Sequence, residues 1–264
     1  MTSLPSHARA APHPRNAHAD ASADPDRMAF VACAQGQDAD GAELGALVLC
    51  WPTVPQAWLG IGHTLRTIAA ERGRTLPGAP LPERASWLRD CAPQLAAPFQ
   101  RTALAEETSV AALIARTPMR VAVAVSGVGA ARTAAARPHG ARFDDCLASF
   151  EREARAGLQR RCTRAISAAQ PAPVQAEYRQ SLQTARERAP GSALLRELRL
   201  DFWPGGTEPL PLELAKAVAA AVLRRLQSRD EADAVFDAAQ AKFANDPFPR
   251  AWETARPRRR SRSG

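Results

Sequence analysis

The stretch from Phe143 to Gln170 constrains the fold more than any other, because it carries the longest helical pattern in the chain. At 100° per residue, Leu147, Phe150, Ala154, Leu158, Cys162, Ala165, Ile166 and Ala169 fall on one side. Asp144 and Asp145 at its start complement the helix dipole, and Pro171 and Pro173 stop it. Glu151 and Arg161 interrupt the apolar stripe. Such a helix either borders a core or presents a mixed surface to a partner. Glu151 and Arg155 stand four apart, a spacing that supports a helix by only about 0.2–0.5 kcal/mol.

The short link to a second helix, Val174 to Ala189, predicts an antiparallel helical hairpin over 143–189. Other helices are expected at Thr53–Arg72, Leu81–Cys91, Thr102–Arg116, Ala193–Leu200 and Leu212–Gln227. A last one is opened by the capping pattern Ser228–Glu231 and runs to Phe243. The fold class this implies is all-α: one irregular, mainly helical domain over 28–253. Two short apolar runs, Met28–Cys33 and Leu44–Trp51, read equally as strands or as buried helix, because periodicity does not decide at that length.

The ends carry no hydrophobic period. Residues 1–27, rich in Ala, Pro, Ser and His, are expected to be disordered. Their acid-free start loosely resembles the Ser/Pro-rich leader of substrates of specialised bacterial secretion. Residues 254–264 form a flexible arginine-rich tail.

Net charge is +8, which invites a nucleic-acid reading. Only Lys216 and Lys242 among the basic residues are not arginine, and alanine is abundant, which points to coding bias rather than selection for phosphate contact. The tail residues Arg258, Arg259, Arg260 and Arg262 are the candidate nucleic-acid contacts. The five cysteines have no C-x-x-C spacing and read as free thiols of a reducing cytoplasm. No run of 18 apolar residues suggests a membrane span.

Pro118 to Arg137 stays open between two forms. MRVAVAVSG alternates as a strand does, and Gly127 and Gly129 followed by AARTAAAR would then be a turn and a helix. Alternatively, Thr117 caps and Pro118 begins one alanine-rich helix. In the first form the segment resembles the loop of the ATP-pyrophosphatase (PP-loop) family, S-G-G-x-D-S after a hydrophobic strand. Ser126 and Gly127 match, Val128 replaces the second glycine, and Ala130 and Ala131 stand where Asp and Ser belong. The resemblance implies a nucleotide-dependent enzyme with a degenerate loop at 121–133.

No nucleophile, base and orienting group are spaced for catalysis, and no metal-ligand pattern is visible. His139 near Asp144 is the nearest approach to an acid–base pair, with no nucleophile to join it. No catalytic residue, cofactor or metal is therefore assigned. The function expected is a non-catalytic adaptor or scaffold with a protein partner, as an accessory of a bacterial secretion apparatus or other assembly. Nucleic-acid binding through the tail is the alternative. Phe202 and Trp203, beside Pro-Gly-Gly, are the expected partner anchors, with Glu151 and Arg161 as the mixed-surface candidates.

Overall fold

The computed structural model describes residues 25–71, 107–127, 139–157, 162–203, 208–228 and 231–248. At its centre is a mixed five-stranded sheet, ordered β3-β2-β1-β4-β5. The strands are β1 (Met28–Gln37), β2 (Glu43–Pro52), β3 (Met119–Ser126), β4 (Arg164–Ser167) and β5 (Arg199–Phe202). β1, β2 and β3 form an antiparallel meander, with Phe30 opposite Cys50 and Leu47 opposite Ala124. β4 pairs with β1 and β5 with β4, both in parallel. The all-α expectation is therefore wrong: the fold is α/β.

Helices cover both faces. α1 (Ala57–Glu71), α2 (Glu107–Arg116), α6 (Leu210–Gln227) and α7 (Ala234–Gln240) pack on one side. α3 (His139–Arg155), α4 (Ala172–Arg188) and α5 (Ala193–Glu197) pack on the other. Along β1, Met28, Phe30 and Ala32 face the first layer, and Ala29 and Val31 face the second. A strand buried on both faces has no polar phase, so its sequence is a continuous apolar run. That is why Met28–Cys33 and Leu44–Trp51 looked ambiguous. Both are strands.

The 143–170 helix and its hairpin are overturned for a related reason. α3 ends at Arg155, and Gly157 follows with φ +69°, the left-handed conformation that commonly closes a helix. Ala165 and Ile166, expected on a helical stripe, instead lie on β4 and bury opposite sides of the sheet. Four residues are too few to display a period of two, and neighbouring apolar residues 165 and 166 fit a helical stripe equally well. The true unit is α3, then β4, then α4. α3 and α4 still approach closely: a Cβ on Gly140 would lie 2.8 Å from Ser181 Oγ, and Ser181 donates to the Gly140 carbonyl at 2.7 Å.

Several local readings hold. Ser192 caps α5, accepting from the Leu195 N–H. The expected Glu151–Arg155 ion pair is present on α3. Of the two forms open for 118–137, the strand is the one found: Thr117 closes α2 by donating to the Leu113 carbonyl, and β3 follows. α7 is capped not by Ser228 and Glu231 but by Asp233, whose carboxylate accepts from the Phe236 N–H at 2.8 Å. Among the described residues no helix is long and apolar enough to cross a membrane.

Candidate functional site

The carboxyl ends of β4 and β5 lie side by side, with Ser167 beside Val31 in the middle of β1. From β1 the chain turns to β2 on one side, and from β4 it crosses through α4 to β5 on the other. In open α/β sheets ligands bind beyond the carboxyl ends of the parallel strands. At this place a cleft of about 440 Å³ is lined by Gln170, Gln175, Arg179, Asp201, Phe202 and Trp203 among others.

Its walls are built from the core outward. Phe143 on α3 stacks on Tyr178 of α4 at 5.0 Å, and Tyr178 stacks on Phe202 at 6.2 Å. The Arg179 guanidinium lies 5.0 Å from the Phe202 ring centre, a cation–π contact. Trp203 packs on the opposite helical layer, and its N–H reaches the Ser167 carbonyl at 2.8 Å. Asp201 accepts from Arg164 at 2.8 Å, and Gln175 donates to the Gln170 carbonyl at 2.8 Å. An aromatic pair thus flanks the end of β5, held from behind by packed rings.

Beside Tyr178, whose ring centre is 6.2 Å from that of His139, lies a polar group of side chains. Gln35 Nε2 and His139 Nε2 are 3.0 Å apart. With the amide nitrogen as donor, His139 is neutral and carries its proton on Nδ1, which is buried without a partner. Burial and the positive Arg142 lower the His139 pKa, and Glu177 partly offsets this. Burial, with Cys33 next, pushes the Tyr178 hydroxyl up. Gln170 Nε2 reaches Cys33 Sγ at 3.7 Å.

The two outer edges of the sheet differ. β3 is closed by the chain itself: Val121 N–H donates to the Lys242 carbonyl at 3.0 Å, and Ala244 N–H to the Val121 carbonyl at 2.8 Å. The Asn245 amide then serves both backbone groups of Val123, at 2.9 and 2.7 Å. At β5, Arg199 and Trp203 donate to the Thr163 and Ser167 carbonyls. By alternation the N–H and C=O groups of Leu200 and Phe202 face away from β4. Among the described residues no strand lies beyond β5.

No protein-family model matches the chain, and no curated protein matches its sequence.

Of the residues singled out by sequence, Phe202 and Trp203 come together at the cleft. Glu151 does not; it sits on α3 paired with Arg155. Arg161 and the tail residues Arg258, Arg259, Arg260 and Arg262 lie outside the described residues, as do residues 1–24 and residues 128–133 of the PP-loop-like segment. Its Ser126 is buried, and its hydroxyl accepts from Arg142 at 2.9 Å, so that oxygen is engaged inside the fold. Among the described residues no three His, Cys, Asp or Glu side chains converge as metal ligands would. Sequence reasoning missed Cys33, Gln35, Gln170 and Arg179. The one available signal was Tyr178, the single tyrosine of the chain, whose buried ring carries the cleft's aromatic wall.

Proposed function

We propose that this protein is a non-catalytic binding module that accepts an extended segment of a protein partner along β5, with Phe202 and Trp203 as anchors. The observation that carries the reading is the asymmetry of the sheet. One edge is closed by residues 242–245, and among the described residues none pairs with the other, beside an aromatic cleft. An open edge offers main-chain hydrogen bonds to an incoming strand, while adjacent pockets select its side chains. The four-residue length of β5 and the exposed Arg199 fit a controlled docking edge, since short, charged edges resist indiscriminate pairing. The four free thiols among the described residues fit a reducing cytoplasm. Service in a multi-protein assembly such as a secretion apparatus rests on the leader-like start alone.

The test is selection of displayed random peptides on the full chain, repeated with Leu200→Pro. That proline removes an outward N–H and leaves the ladder to β4 intact. Selected peptides should bind the parent in the micromolar range and lose Leu200→Pro, with its melting temperature little changed. Equal binding to both proteins would exclude docking at this edge.

A second reading has one observation in its favour: Arg179 over Phe202, beside Trp203, is a surface on which a nucleic-acid base stacks. Filter binding of a single-stranded oligonucleotide across a salt series, with and without residues 254–264, tests it and the tail together. Absent or salt-independent binding removes it.

A further inference from the structure

Cys33 stands near the end of β1 on the face toward α3 and α4, two residues past Val31. It is half-buried, whereas Cys50, Cys146 and Cys162 are fully enclosed. Burial raises all three enclosed thiols, Cys162 to about 12. A thiol attacks only as thiolate, so those three are inert while folded. Cys33 differs in its surroundings as well as its access. Gln170, which lines the cleft, donates from Nε2 toward Cys33 Sγ at 3.7 Å.

A second observation concerns Tyr178. Tyr178 has no exposed surface, and its hydroxyl has no well-formed hydrogen bond. Leaving such a group unsatisfied costs about 1–3 kcal/mol. The Cys33 side chain is the first neighbouring group acting on that hydroxyl. A buried hydroxyl with a half-buried thiol as neighbour can donate to that sulfur as negative charge forms on it. The Ser167 hydroxyl, on β4 opposite Val31 in register, is likewise buried and unpartnered.

We propose that Cys33 is a site of reversible thiol–disulfide exchange with small disulfides that approach it beside Gln170, at the wall of the cleft. The Cys33 thiol loses its proton, and its sulfur attacks one sulfur of R–S–S–R. A Cys33–S–S–R bond forms as the R–S–S–R bond breaks, and the departing R–S⁻ takes up a proton. Gln170 and Tyr178 are the positioning residues, stabilising the attacking sulfur. A small external thiol reverses the step by the same exchange.

The test uses the full chain carrying Cys91→Ser, which leaves only cysteines among the described residues, and oxidised glutathione as the probe. Intact mass and peptide mapping of the folded protein should show one adduct, on Cys33, removed by dithiothreitol. Cys33→Ser should abolish it. Gln170→Ala and Tyr178→Phe should each slow the exchange several-fold at unchanged pH; if Tyr178→Phe fails to fold, Gln170→Ala carries the comparison. Adduct on Cys50, Cys146 or Cys162, no adduct at all, or full rates in the folded positioning variants would overturn the proposal.

Discussion

The two outer strands of the sheet have the same backbone chemistry and opposite fates. β3 gives its outward groups to residues 242–245, and the Asn245 amide imitates a further residue of strand by bonding both backbone groups of Val123. That segment is held down by an aromatic cluster, with Phe236 6.0 Å from Phe243 and 5.8 Å from Phe248. β5 has aromatic side chains too, but Phe202 is bracketed by Tyr178 and Arg179 at the rim of a cleft. At β3 the rings fasten the protein's own chain over the edge. At β5 they flank an edge that the described chain leaves uncovered. The lesson is that an open edge beside organised aromatics deserves a binding hypothesis, whereas an edge sealed by side-chain mimicry is a folding solution.

Breaking the seal should have the largest effect. Phe236→Ala is expected to cost about 3–5 kcal/mol in urea unfolding, as truncation of a buried ring does, and to speed hydrogen exchange at Val121 and Val123. An unchanged urea midpoint would show that the aromatic cluster does not hold the closing segment. Asn245→Ala should cost about 1–3 kcal/mol, because it leaves both backbone groups of Val123 without their partner. Exchange should rise at Val123 more than at Val121, whose partners are backbone.

On the open side the effects should fall on binding and not on stability. Phe202→Ala should weaken selected peptides by about 2 kcal/mol or more, as loss of an aromatic anchor does, measured by calorimetry. If it weakens folding instead, Phe202 belongs to the core. The smallest effect concerns His139, beside Tyr178. Its folded pKa is lowered, so the fold prefers the neutral ring. Its contribution to stability is complete above the ordinary value near 6.5 and is lost as pH falls through that value toward the lower folded one. His139→Gln should flatten this part of the stability–pH curve. Identical curves for His139→Gln and the parent would remove the assignment.

The local signals were legible where a single helix face met a single core. α6 reads directly from Leu212, Ala215, Ala219, Val222 and Leu226, all buried, and α1 from Trp58, Ile61 and Ile68. Ser192 announced its cap. The sheet was hidden because β1, β2 and β4 are covered on both faces, which erases alternation. The cleft was half legible: Phe202 and Trp203 stood out beside their turn, but Gln170, Arg179, Tyr178 and Cys33 are spread over 147 positions of the chain and nothing local links them.

By itself, then, the sequence determined several helix faces, the Ser192 cap and the presence of an aromatic pair at 202–203, because those depend on neighbours within a few residues. Only the tertiary structure decided that Ala165 and Ile166 belong to a strand, that residues 242–245 seal one edge while no described strand pairs with β5 on its outer side, and that Gln170 reaches Cys33. Pairing between strands and convergence of side chains depend on where distant segments are brought, and no periodicity along the chain records that.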